Sequence, residues 1–238
     1  MAQKIFNRYE NKYLINRAQY EKLLANLSVK MKPDKYNKDG RMYKIYNIYY
    51  DTESNDLIRT SLEKPVYKEK IRLRAYSIVK DSDVVFVEIK KKFDGLVNKR
   101  RIAIPLSQAK QFLAGKKISS KDYIDSQVSQ EIREILQREK LVPKTYISYE
   151  RMALFERDND DLRVSFDHSI TSSQENIGLD RKVFGKQLLN DDQYLMEIKT
   201  RWNMPLWLTK LLADYKIQPV SFSKYGKSYL NNLKEAYV

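Results

Sequence analysis

The chain has 238 residues, with 45 Lys and Arg against 31 Asp and Glu, a formal charge of +14. Hydrophobic residues make up 42% of it, enough for a folded domain and too many for a disordered basic tail. It has no Cys and a single His, His168, which excludes disulfides, cysteine nucleophiles, thiolate metal sites and multi-histidine centres. Any metal would be held by carboxylate, water and substrate oxygens, a donor set that suits Mg²⁺ or Mn²⁺.

The N-terminus is interrupted by Lys4, Arg8, Glu10 and Lys12 and does not read as a signal peptide. No stretch approaches the roughly 18 apolar residues of a membrane span. With no repeat or linker, the sequence reads as one soluble, cytoplasmic domain over residues 1–238.

In chain order, the patterns predict a strand over Ile5–Ile15, a helix over Arg17–Leu27, a strand over Tyr43–Asp51 and a short helix over Asn55–Leu62. Three strands follow, Lys68–Tyr76, Val84–Phe93 and Val97–Pro105, the last two joined by the hairpin signal Asp94-Gly95. Helices are expected over Ser107–Ala114 and Val128–Glu139, where Val128, Ile132, Ile135 and Leu136 share one face. Strands resume at Tyr146–Phe155, Asp161–Ser169 and Tyr194–Thr200. A helix over Pro205–Tyr215 and a last one near Tyr225 complete the order. Ser172–Asp192 has no clear period and is expected to be an exposed excursion.

Residues two apart in a strand share a face, and nearly every predicted strand gathers charge on one side. The groups are Arg8, Glu10 and Lys12; Lys70, Arg72 and Arg74; Glu88, Lys90 and Lys92; Lys99 and Arg101; Tyr149 and Arg151; Arg163, Ser165 and Asp167; and Glu197, Lys199 and Arg201. The bland interpretation is the solvated outer face of an antiparallel sheet. Pairs of cations with an isolated carboxylate, recurring from strand to strand, repel one another unless water or a polyanion compensates them. The opposite faces are apolar, and amphipathic helices are available to cover them. A sheet clothed outside by helices and lined inside by charge is a closed barrel with a polar lumen, of about eight strands if an elongated ligand is to fit. Arg and Lys in such a channel suit a string of phosphates, and the accompanying Glu suit divalent cations bridging phosphate oxygens.

These residues resemble the VTC domain, the polyphosphate polymerase branch of the CYTH, or triphosphate tunnel, superfamily. The matching segments are Arg8-Tyr9-Glu10-Asn11-Lys12-Tyr13-Leu14-Ile15, Lys70-Ile71-Arg72-Leu73-Arg74, Val87-Glu88-Ile89-Lys90-Lys91-Lys92 with Asp94-Gly95 and Asn98-Lys99-Arg100-Arg101, Tyr149-Glu150-Arg151, Leu162-Arg163-Val164-Ser165-Phe166-Asp167, Met196-Glu197-Ile198-Lys199, and Ser221-Phe222-Ser223-Lys224-Tyr225-Gly226-Lys227. The resemblance implies an α+β fold, an eight-stranded antiparallel tunnel with helices packed outside. It further implies metal-dependent transfer of the terminal phosphoryl group of ATP to a polyphosphate chain. Carried over by position, Lys12, Arg72, Arg74, Lys90, Arg151 and Lys224 would bind phosphate, with Lys92, Arg101 and Lys199 as further candidates. Glu197 would hold the metal, with Glu10 and Glu88 as additional metal candidates, and Arg72, Arg74, Arg151 and Glu197 would be the catalytic set. Where the wider superfamily has Glu-x-Glu-x-Lys in its first strand, this chain has Arg8-x-Glu10-x-Lys12, a loss of one acid that weakens a hydrolytic reading.

ATP and polyphosphate or triphosphate are therefore the expected partners, with no stable nucleic-acid complex. A triphosphatase, a non-catalytic polyphosphate-binding module and a single-stranded nucleic-acid binder stay open as alternatives, the last because basic charge and abundant Tyr also suit a stacking groove. Export of a product would call for a membrane partner not encoded in these residues.

Overall fold

The computed structural model describes residues 6–116, 118, 127–157 and 161–236. Its strands are β1 (Phe6–Asn16), β2 (Met31–Pro33), β3 (Tyr43–Asp51), β4 (Tyr67–Ala75), β5 (Val84–Phe93), β6 (Leu96–Pro105), β7 (Val142–Glu156), β8 (Leu162–Ser173), β9 (Lys186–Gln187) and β10 (Gln193–Thr200). The helices are α1 (Arg17–Lys30), α2 (Asp56–Leu62), α3 (Leu106–Leu113), α4 (Gln127–Arg138), α5 (Leu206–Asp214) and α6 (Lys224–Ala236).

Eight strands pair antiparallel in the cyclic order β7, β3, β4, β5, β6, β1, β10, β8, and β8 returns to β7, closing the ring. All eight are the strands expected from the sequence. The short β2 and β9 attach outside the ring, to β7 and β8 respectively. β1 and β10 are in register from Tyr9↔Thr200 to Asn16↔Gln193, and among the described residues β1 meets β6 from Phe6↔Lys99 to Arg8↔Val97. The β5–β6 hairpin turns on Asp94 and Gly95, both at positive φ (41° and 81°), the backbone that a two-residue primed turn needs and that Asp-Gly tolerates.

Alternation along the strands sends two kinds of side chain in opposite directions. Outside β4, β5 and β6, Ile71, Leu73, Val85, Val87, Ile89, Ile102 and Ile104 form one buried cluster with Phe112 of α3 and Ile132 and Ile135 of α4. Outside β1, β8 and β10, Tyr13, Ile15, Val164, Phe166, Met196 and Ile198 pack against Leu23 and Leu27 of α1 and Leu208 and Leu212 of α5. Fully burying each such aliphatic side chain contributes about 1.5–3 kcal/mol, so the two outer layers carry much of the burial that holds the ring shut.

A third cluster occupies part of the barrel interior. Ile45, Tyr49, Ile147, Tyr149 and Leu195 meet Ile58 of α2 and Tyr225 of α6. Asp51 ties this end together. Its carboxylate accepts from the backbone N–H of Leu57 (2.9 Å) and Ile58 (3.0 Å), doing the work of an N-cap for α2, and from the Tyr225 hydroxyl (2.9 Å).

The stretch expected to be an exposed excursion is exposed at residues 174–176, 181–182, 184–187 and 190–192, but it is pinned at intervals. β8 runs on to Ser173, β9 pairs with it, and Leu179 and Leu188 are buried. Leu179 joins the first outer cluster, and its carbonyl accepts from the Val79 N–H (3.0 Å). Single apolar anchors in irregular backbone leave no period to read. No helix of the described residues is long and apolar enough to cross a membrane.

Candidate phosphate-binding lumen

The inner face of the ring is built from the alternate residues of each strand. β4 contributes Lys68, Lys70, Arg72 and Arg74, and register places Lys92, Lys90, Glu88 and Phe86 of β5 opposite them. Across the next joint, Lys99 and Arg101 of β6 stand opposite Lys90 and Glu88. Lys12 lies opposite Glu197 and Glu10 opposite Lys199 on the β1–β10 pair, and Arg151 lies opposite Asp167 on the β7–β8 pair.

Two carboxylate hubs organise the cations. Glu88 is buried and is held by Arg72 Nε (2.7 Å), Lys99 Nζ (2.9 Å) and Arg74 Nε (3.6 Å). Glu197, also buried, is held by Lys199 (2.8 Å), Lys224 (3.2 Å), Arg151 (3.5 Å) and Lys12 (3.9 Å). Glu10 shares two of the same lysines, Lys12 (3.4 Å) and Lys199 (3.7 Å), and adds Lys90 (3.2 Å). Asp167 pairs bidentately with Arg151 (2.5 and 2.6 Å) and also takes Lys224 (2.5 Å). Lys224 reaches this network from the first turn of α6, which enters the interior through the Tyr225 packing described above.

Burial alone would push these carboxyls toward protonation, but the cations outweigh it. Glu88 is held well below the ordinary carboxylate range by Arg74, Lys99 and Arg72, and Glu197 likewise by Lys199, Lys224 and Lys12. The same burial works against the cations. Lys224 nonetheless has its pKa raised, because Asp167 and Glu197 flank it. Lys70 is pushed down to about 7 by burial and by the neighbouring Lys90 and Lys12. It hydrogen-bonds Ser223 Oγ (3.2 Å) and, among the described residues, makes no ion pair with a carboxylate. Lys99 is pushed down to about 7 by burial; Glu88 pulls it upward, against Arg74 and Arg72.

The structure thus brings Lys12, Arg72, Arg74, Lys90, Arg151, Lys199, Lys224, Glu10, Glu88 and Glu197 into one lumen. Arg101 stands at the rim instead, exposed, with its guanidinium 4.3 Å from the centre of the Phe86 ring. Lys92 is half-buried beside Lys68. The Arg8 side chain lies outside the described residues. His168 is outside the lumen, stacked on Tyr194 with Nε2 2.9 Å from the Asp191 carbonyl.

Several lumen residues were not assigned a role from sequence. Asn47 accepts from Arg74 Nε (2.9 Å), Tyr149 from Arg74 Nη2 (3.1 Å) and Tyr49 from Arg72 Nη1 (3.1 Å), so each arginine is aimed by a neutral oxygen. The available signal was a lone Asn at an inward position of a strand otherwise rich in Tyr and Ile. Ser165 Oγ is buried without a partner on the strand position opposite Glu197.

As a metal site, the lumen offers oxygen ligands from Glu197 and Glu10, which share Lys12 and Lys199. Among the described residues no three acidic or histidine side chains cluster closely enough to cage an ion. The donor set fits a hard divalent cation completed by substrate oxygens, the usual way Mg²⁺ is held.

Comparison with solved structures finds similarity at low identity, and the first of the two described next shares the fold. A candidate adenylate cyclase from Bacillus halodurans is 14% identical, with 93% of this chain and 96% of that chain covered and a TM-score of 0.55. A candidate adenylyl cyclase from Hippeastrum, described as having a dominant triphosphatase activity, is 13% identical over 94% of this chain and 93% of that one, with a TM-score of 0.47. No curated protein matches the chain. The VTC domain model matches residues 7–231, a span that takes in the strands of the closed ring from the second residue of β1 onward, and the chain belongs to the VTC domain family.

Proposed function

We propose that this protein transfers the terminal phosphoryl group of ATP to a growing polyphosphate chain inside the barrel, with a divalent cation. The observation that carries the reading is the excess of inward cations. Among the described residues, Lys12, Lys70, Arg72, Arg74, Lys90, Lys99, Arg151, Lys199 and Lys224 outnumber the acids beside them, Glu10, Glu88, Asp167 and Glu197, with Asp51 more distant from Lys70. A buried lumen with that imbalance is electrostatically incomplete until polyanion enters.

Phosphoryl transfer depends mainly on positioning and on stabilising the equatorial oxygens of a loose transition state. Arg72, Arg74 and Arg151 present planar donors to those oxygens, and Asn47, Tyr49, Tyr149 and Asp167 keep them oriented. Lys12, Lys90, Lys199 and Lys224 neutralise the chain, with Lys92 and Arg101 extending the basic surface toward the rim. Glu197 and Glu10 would hold Mn²⁺ or Mg²⁺, which supplies charge neutralisation across the phosphates. Glu88, enclosed by three cations, sets the position of Arg72 and Arg74. The nucleophile is the terminal oxygen of polyphosphate. Its bond to the γ-phosphorus forms as the bond from that phosphorus to the ADP oxygen breaks, and no side chain is covalently modified.

The test is incubation with ATP and Mn²⁺ followed by resolution of polyphosphate, ADP and free phosphate. Long chains with ADP are expected, and Glu197→Gln or Arg72→Ala should abolish them. Free phosphate alone would make the protein a hydrolase, no turnover would make it a binding module, and undiminished synthesis in either variant would overturn the residue assignment.

A further inference from the structure

Lys70 differs from the other lysines of the lumen in what holds it. Lys12, Lys90, Lys99, Lys199 and Lys224 each have a glutamate oxygen at 3.4, 3.2, 2.9, 2.8 and 3.2 Å respectively. Lys70 makes no ion pair with a carboxylate among the described residues, and its amine donates to Ser223 Oγ at 3.2 Å. The neighbouring cations are tethered to the same end of the barrel. Lys12 donates to the carbonyl of Phe222 (2.7 Å), the residue before Ser223, and Lys68 to the Ser61 carbonyl (3.1 Å). Lys90 stands directly opposite Lys70 on β5, and Arg72 is the next residue along the same face of β4. The charged groups that face Lys70 are therefore Lys68 from its own strand, Lys90 from β5 and Lys12 from β1, with the Asp51 carboxylate of β3 more distant.

An ammonium crowded by other ammoniums and partly withdrawn from water releases its proton readily, in keeping with the pKa of about 7. A lysine beside another cationic group is a nucleophile near neutral pH for this reason. Lys99 titrates as low, but Glu88 occupies its amine at 2.9 Å. Phosphoryl transfer uses Lys70 only as a cation and leaves its neutral form without a task. Among three cations able to seat a phosphate, a neutral amine is placed to attack an electrophilic carbon carried by that phosphate.

We propose that Lys70 is a covalent modification site for acyl phosphates, small molecules in which an acyl carbonyl is joined through oxygen to phosphate. This rests on the phosphate-lumen reading above and adds a regulation of that same site. The phosphate group seats on Lys90, Lys12 and Arg72 and presents the carbonyl carbon to Lys70 Nζ. The nitrogen lone pair forms a C–N bond to that carbon as the bond from the carbon to the phosphate oxygen breaks. Inorganic phosphate departs with the bonding pair and takes up the proton lost from nitrogen, so nothing is oxidised or reduced. The product is a neutral amide: the lumen has one cation fewer, and its hold on a polyanion weakens. Because a phosphate beside Lys70 raises its pKa again, transfer quickens as pH rises from about 7 to 9.

The test is peptide mass spectrometry of the full chain incubated with acetyl phosphate at about pH 8, reading the rate of acetylation at each lysine. Lys70 is expected to react about tenfold faster than Lys22, an exposed lysine of α1, because far more of it is neutral at that pH. Excess tripolyphosphate should suppress the reaction at Lys70 and leave Lys22 unchanged. In calorimetric titration the acetylated wild type should bind tripolyphosphate about tenfold more weakly than the untreated chain, the equivalent of one charge-assisted hydrogen bond. Lys70→Arg, which keeps the charge and has no acylatable amine there, should hold its affinity through the same treatment. If the untreated chain binds tripolyphosphate, three results would each overturn the modification site while the lumen stands: Lys70 reacting no faster than Lys22, Lys99 reacting first, or an equal loss of affinity in Lys70→Arg. An untreated chain that does not bind tripolyphosphate would overturn the lumen reading and the modification site with it.

Discussion

Lys70 shows how a single residue can report on the whole lumen. Its ammonium faces Lys90, Lys68 and Lys12, with Ser223 as its hydrogen-bond partner and Asp51 as a more distant acid, and its pKa falls to about 7. A phosphate beside it would restore the ordinary value, so binding takes up a proton wherever the free protein has lost it. Affinity for tripolyphosphate should therefore be greatest below pH 7 and weaken above it, by up to about tenfold per pH unit for uptake of one proton. Lys70→Met should lessen that pH dependence when affinity is measured from pH 6 to 9, leaving the part due to Lys99, which is also held near 7. Folding stability moves the other way. Between pH 7 and the ordinary lysine value the unfolded chain binds more protons than the folded one, so the contribution of Lys70 to stability improves as pH rises. At this scale much of the site was legible, because Lys12, Arg72, Arg74, Lys90, Arg151 and Glu197 announce themselves by period-two alternation. Asn47, Tyr49 and Tyr149 did not, since Tyr is a common strand residue and their hydroxyls matter only through the arginines that register brings beside them. Pairing of Arg151 with Asp167 likewise depends on which strands are neighbours.

Among the elements, the eight barrel strands were all readable, because each is long enough to show one charged and one apolar face. β2 and β9, at three and two residues, are too short to show any period. The plug formed by α2 and α6 was half legible: both helices were expected, but their meeting at Asp51 was not, because a strand-terminal Asp looks like any turn residue. Its role predicts a specific lesion. Asp51→Ala removes the acceptor for Leu57 N–H, Ile58 N–H and the Tyr225 hydroxyl, and bonds to a buried charge contribute about 1.5–3 kcal/mol each. Thermal unfolding should shift to markedly lower temperature, and because α6 carries Lys224, tripolyphosphate affinity should fall as well. Asn16→Ala, which removes the N-cap of α1 (Asn16 Oδ1 to Gln19 N–H, 2.8 Å), should cost about 1 kcal/mol and leave affinity intact.

For the molecule as a whole, a net charge of +14 acquires meaning only from closure. Laid flat, the charged face would be an ordinary basic surface open to any polyanion; rolled inward, it lines a lumen that a ligand must enter. Closure also removes the exposed edges that make open sheets prone to pair with other chains. Along β1 and β10 the closure runs over eight successive positions, from Tyr9 to Asn16, and β10 is paired on its other side with β8. Amide hydrogens of Met196–Ile198, in the middle of that joint, should therefore be among the slowest to exchange with solvent, which hydrogen-exchange measurements would resolve. Because each strand of the ring has a neighbour on both sides, whatever binds in the lumen has to come and go along the barrel axis.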